Sequence, residues 1–198
     1  LEFVARASNS VSALVDGTYV RESGTPLFKD GTITGADTGV SVGGEFAAAH
    51  FQDITVTNPT DSGMAITGQT ASTLDGFDVT GGTYGVLIGN SASGSMDLDN
   101  LTLDGQSTAG IYYVKDITGT VSGSVVNSAG AAFKYGPNTD ADITFDNLVI
   151  SSNAVGIETS GAGDISMTDV TMANTKDVVI KSAANVEFVE GTVDSTTV

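Results

Sequence analysis

One unit recurs along this chain every 21 to 24 residues, and that period limits the possible folds more than any other feature. Eight segments align: 27–33 (LFKDGTI), 50–56 (HFQDITV), 73–79 (TLDGFDV), 97–103 (DLDNLTL), 120–126 (TVSGSVV), 144–150 (TFDNLVI), 166–172 (SMTDVTM) and 187–193 (EFVEGTV). Each reads as an apolar residue, two turn-type residues, then a short strand with an apolar residue near its end. The first apolar position falls at Phe28, Phe51, Leu74, Leu98, Val121, Phe145, Met167 and Phe188. The last falls at Ile33, Val56, Val79, Leu103, Val126, Ile150, Met172 and Val193. A second strand, usually opened by glycine, stands between these segments: 39–42 (GVSV), 63–66 (GMAI), 85–88 (GVLI), 110–113 (GIYY), 131–133 (AAF), 156–159 (GIET) and 177–180 (DVVI).

Alternation of period two within each piece marks a strand with one buried face. A unit of about 23 residues cannot bury its own apolar row. Stacking equivalent units at roughly 4.8 Å hydrogen-bonds every strand to its counterparts and turns each repeated apolar position into a core column. The sequence therefore predicts an all-β parallel solenoid of about eight coils of roughly 23 residues, three short strands per coil. A sandwich or propeller needs longer antiparallel strands, and the period is too short for a propeller blade.

Charge narrows the partners. Twenty-four acidic against seven basic side chains give a net charge of −17, which disfavours nucleic acid and anionic lipid surfaces. No run of 18 apolar residues is present, so no membrane insertion is expected. The absence of cysteine removes disulfides and thiolate metal sites.

The Gly-apolar-x-apolar piece, the TFDNLVI-type piece and the asparagine after it resemble right-handed parallel β-helix repeats of the pectin-lyase-like superfamily. The resemblance covers about residues 27–193 and supplies the handedness. It implies an internal asparagine ladder, near whose place Asn58, Asn127, Asn153 and Asn174 stand at varying offsets. It also implies that any chemistry would sit on the outer face of one sheet, with aspartates for Ca²⁺ and Arg or Lys as base. Here Arg6 and Arg21 precede the regular repeats, and Lys29, Lys115, Lys134, Lys176 and Lys181 occupy different places along the coil. Carboxylates without such a partner are half a mechanism, so an intact catalytic site is not expected.

Three surface features remain as candidates. Asp75, Asp97 and Asp99, with Asp146 further on, offer oxygen ligands for Ca²⁺, although Asp and Asn also cap tight turns. Tyr112, Tyr135 and Lys134 suggest a sugar-stacking patch, against the alternative of core and turn packing; Tyr113 and Phe133 fit inward positions. A threonine column reads Thr32, Thr55, Thr102, Thr171 and Thr192, widened by Thr34, Thr57 and Thr80 and interrupted by Asp78, Val125 and Val149. Such an array can order water against ice, but threonine also simply favours strands. His50, the one histidine, reads as a surface residue.

Residues 1–26 fit the repeat poorly and are expected to form an irregular coil or cap. Residues 27–198 carry the repeats, which end on a full unit and are expected to continue in a longer parent protein. The resulting expectation is a secreted or cell-surface structural or interaction module: a spacer, an adhesin shaft or a rod that contacts a polysaccharide or cell-surface glycan. No cofactor is expected, Ca²⁺ being the one the sequence leaves open, and open strand edges allow end-to-end self-association. The alternatives are a fragment of a polysaccharide lyase or hydrolase and an ice-binding surface on the threonine column.

Overall fold

The computed structural model describes residues 16–20, 27–42, 50–137, 139–161, 163–181 and 185–193. Most of the predicted cap over 1–26 lies outside these residues. Two parallel sheets make up the described fold, with strands numbered in chain order. The short-strand sheet runs β1 (Asp16–Val20), β3 (Thr38–Val42), β5 (Ser62–Ile66), β7 (Tyr84–Ile88), β9 (Ala109–Tyr113), β11 (Ala131–Tyr135), β13 (Val155–Thr159) and β15 (Lys176–Ile180). The long-strand sheet runs β2 (Leu27–Thr34), β4 (His50–Thr57), β6 (Gln69–Thr80), β8 (Ser93–Asp104), β10 (Thr118–Val126), β12 (Asp142–Ser151), β14 (Asp164–Ala173) and β16 (Asn185–Phe188), with β17 (Gly191–Val193) also on β14. The chain alternates between the sheets, which makes it a parallel β-solenoid. About six turns, β4–β5 through β14–β15, form its interior, slightly fewer than the eight repeats counted in the sequence.

Three strand pieces per coil were expected; two of them run on as one bent strand. The bend falls on Asp30, Asp53, Gly76, Asn100, Asn147 and Asp169, with φ between 49° and 69°. Gly, Asn and Asp adopt this left-handed conformation most readily, which is why four of the eight repeats carry Asp-Gly or Asp-Asn at their centre. A second left-handed corner, at Gly35, Asn58, Gly81, Gly105, Asn127 and Ser152, leads to the short strand. Even the corners bond to one another: the Asn58 amide donates to the Thr80 carbonyl and the Gly81 amide to that of Asp104, both at 2.8 Å.

The first apolar column holds as read, with Phe51, Leu74, Leu98, Val121, Phe145 and Met167 in register and buried. The second needs one correction. β10 is a residue short at its bend, so Gly123 pairs with Leu101, Ser124 with Thr102 and Val125 with Leu103. Val125 is therefore fully buried in the column assigned to Val126, and Ser124 takes the outward place assigned to Val125. A one-residue slip exchanges the faces of every later side chain in a strand. Gly123 absorbs it, since a Cβ there would lie 2.2 Å from the Leu101 carbonyl oxygen.

The ladder also differs from expectation. Asn58 and Asn127 are exposed corner residues, whereas the buried column one place further on holds Gln106, Ser128, Asn153 and Asn174. The Ser128 amide donates to Asn153 Oδ1 at 2.8 Å, and the Asn153 side-chain amide donates to Asn174 Oδ1 at 2.9 Å. Asn174 in turn donates from both nitrogens to buried Asp177 Oδ1, which closes the ladder within the same coil. Gln106 Oε1 and Ser128 Oγ have no partner among the described residues.

Glycine opens the short strands for a steric reason. A Cβ on Gly63 would lie 2.4 Å from the Val79 side chain, and one on Gly110 would lie 2.3 Å from Val125 and 2.7 Å from the Ala132 carbonyl oxygen. The opposite sheet packs directly on this bare backbone. Gly110→Ala should lower stability by about 1–3 kcal/mol, read as a lower urea midpoint. Ser128→Asn should raise it by about 1 kcal/mol in the same assay, by letting the side chain join the ladder as Asn153 does.

Candidate functional site

The outer face of the short-strand sheet carries a column in which Leu87, Tyr112, Lys134, Glu158 and Val179 follow in register. Strand alternation points these side chains outward while Ile111, Tyr113, Phe133 and Tyr135 point in. Tyr112 is half-buried and stacks on Tyr84, with ring centroids 5.5 Å apart and planes 30° apart. Lys134 Nζ lies 5.6 Å from the centre of the Tyr112 ring, within cation–π range. Further along, Lys181 Nζ meets Glu158 Oε1 at 2.6 Å. Lys134 makes no ion pair among the described residues, which leaves it as the uncompensated cation of this stripe.

Tyr135 is not part of this surface. It is 1 % exposed and stacks on Tyr113 with centroids 4.8 Å apart, so the patch that grouped it with Tyr112 and Lys134 has to be redrawn with Tyr84 in its place. Parity carried the needed signal: Tyr135 pairs with Tyr113, which the sequence already placed inward. Tyr84 was missed because it precedes the strand-opening glycine, and only the folded chain brings its ring to Tyr112. The hydroxyls of Tyr113 and Tyr135 have no hydrogen-bond partner among the described residues, and burial pushes both phenols well above their ordinary range.

The long-strand sheet carries the acidic and threonine candidates. Asp75, Asp97 and Asp99 each bond to a residue of the next coil. Asp97 Oδ1 accepts from the Thr120 amide at 3.1 Å and its hydroxyl at 3.0 Å. Asp99 Oδ1 accepts from Ser122 Oγ at 3.3 Å, and Asp75 Oδ1 from Asn100 Nδ2 at 2.8 Å. Among the described residues no three His, Cys, Asp or Glu side chains are grouped so as to hold a metal. A shallow groove of about 450 Å³ runs past Asp99, Thr120, Ser122, Thr144, Asp146 and Thr168. Thr32 pairs with Thr55 and Thr34 with Thr57, and Thr57 with Thr80, but Asp78, Ser124 and Val149 interrupt the main column before Thr171 and Thr192. Thr102 stands between Asp78 and Ser124. His50 is partly buried, its Nδ1 2.5 Å from Thr73 Oγ1 of the next coil.

The core tyrosines give a test of the packing. Their folded-state pKa values are raised, so above pH ~10 the unfolded chain releases protons that the folded chain keeps. Stability should thus be unaffected by these two groups below that pH and fall as pH rises past it. In an ultraviolet absorbance titration, Tyr113 and Tyr135 should ionise only as the protein unfolds.

The sequence matches the model of the family described as periplasmic copper-binding protein (NosD) over residues 4–197. Neither the curated proteins nor the solved structures contain a match. Copper takes imidazole, thiolate and thioether donors. This chain has one histidine, no cysteine and four methionines that are all buried in the core, a donor set that does not fit the ion. The family is one of right-handed parallel β-helices of the pectin-lyase-like superfamily, in agreement with the fold, and its description places it in the periplasm. With nearly its whole length matched and the stacked coils in view, the chain belongs to the NosD family of β-helix proteins.

Proposed function

We propose that this chain is a non-catalytic interaction module of an extracellular or cell-surface protein, a β-helix rod that contacts a glycan with the outer face of its short-strand sheet. The observation that carries this reading is the Tyr84–Tyr112–Lys134 cluster: two stacked aromatic rings beside a cation without a carboxylate partner. Aromatic edges and faces pack against the C–H surfaces of a sugar ring, and an ammonium group attracts a carboxylate. The chemistry points to a polysaccharide bearing uronic acids. On a protein of net charge −17, Lys134 is the group of this cluster that can attract such an anion.

The non-catalytic part of the reading is supported by where the bases lie. Lys29, Lys115 and Lys181 each pair with a carboxylate, and they stand on different parts of the coil, away from the groove at Asp99 and Asp146. Arg6 and Arg21 lie outside the described residues.

A glycan array followed by titration with the best-bound polysaccharide tests the proposal. Binding without cleavage is expected, weakening at higher salt. Tyr112→Ala and Lys134→Ala should each reduce affinity at least about tenfold, the equivalent of about 1.4 kcal/mol. Binding that neither substitution changes would remove the surface from consideration, and turnover of the polysaccharide would contradict the non-catalytic assignment.

A further inference from the structure

We infer that the β-helix coils of this chain do not form a copper site, so the metal in the family's description is not a property of these repeats. The conclusion rests on the imidazole and thioether side chains, every one of which lies in the described structure. His50 is the single imidazole. Its in-register neighbours on the adjoining coils are Leu27 and Thr73, and its Nδ1 is engaged by the Thr73 hydroxyl. Met64, Met96, Met167 and Met172 are between 0 % and 4 % exposed. Met64 follows Val40 and precedes Val86 in its column, Met167 follows Phe145, and Met172 stands between Ile150 and Val193. These thioethers fill core volume, a common use of methionine.

The architecture says what a site would require. Donors would have to recur at one outward position on successive coils, where strands lie roughly 4.8 Å apart, so that two or three converge on one ion. No outward column here repeats a histidine, and no methionine faces outward. The carboxylates that do repeat outward are hard oxygen donors already bonded across coils, as Asp97 is to Thr120 and Asp99 to Ser122. The inference is independent of the glycan reading, since it uses none of the residues of that surface.

The test titrates the purified 198-residue protein with Cu²⁺ by calorimetry and electron paramagnetic resonance, and with Cu⁺ under anaerobic conditions by competition with a chromogenic chelator. The expected result is no saturable one-to-one binding in either oxidation state, with the thermal midpoint unmoved and His50→Ala behaving as the parent does. Heat that excess Mg²⁺ abolishes counts as counter-ion screening and agrees with the inference. Saturable Cu²⁺ binding lost in His50→Ala would overturn it. So would saturable Cu⁺ binding that survives this substitution, by showing that the buried thioethers become available.

Discussion

Everything in this molecule depends on parallel, in-register stacking of one coil on the next. Each strand donates and accepts along its whole length to the strands on either side, so a residue's fate is set by its counterparts one coil away more than by its sequence neighbours. The first inward column, from Phe51 to Met167, exists because each strand is paired in register with its counterpart there. Where β10 loses a residue, Gly123 takes up the difference at the bend and the columns resume on the correct face. A Cβ at that position would meet the Leu101 carbonyl oxygen at 2.2 Å, so the bend depends on glycine.

Polar side chains follow the same rule. Asn153 and Asn174 satisfy buried amides of adjoining coils from inside, and aspartates such as Asp97, Asp116 and Asp142 accept backbone amides of the next coil from outside. Much of the acidic character of the chain is thereby structural. Asp75, Asp97 and Asp99 sit where a donor of the neighbouring coil faces them: the Asn100 side-chain amide, the Thr120 amide and the Ser122 hydroxyl.

Function has to be sought on what this scheme leaves free. On the long-strand face Asp75, Asp97 and Asp99 bond to residues of the next coil. On the short-strand face the same columns carry Tyr112 and Lys134, and Tyr84 reaches them from an adjacent coil. Family membership describes the scaffold on which such surfaces are mounted; the surface residues of each member decide what is bound.

The sequence by itself determined the class of fold, because a repeat of 21 to 24 residues with period-two apolar positions has no other way to bury them. It also determined which glycines, aspartates and asparagines turn the chain. It did not determine register across an irregular repeat: aligning seven residues with seven placed Val126 inward, and only the paired strands show Val125 there. Nor did it separate the ladder asparagines from the corner asparagines, since Asn127 and Asn153 differ by one place relative to the bend and so by the direction in which the side chain points. Tyr135 and Tyr84 exchanged roles for a like reason. Facing is a property of the strand and its neighbours, and it was decided only when the coils were stacked.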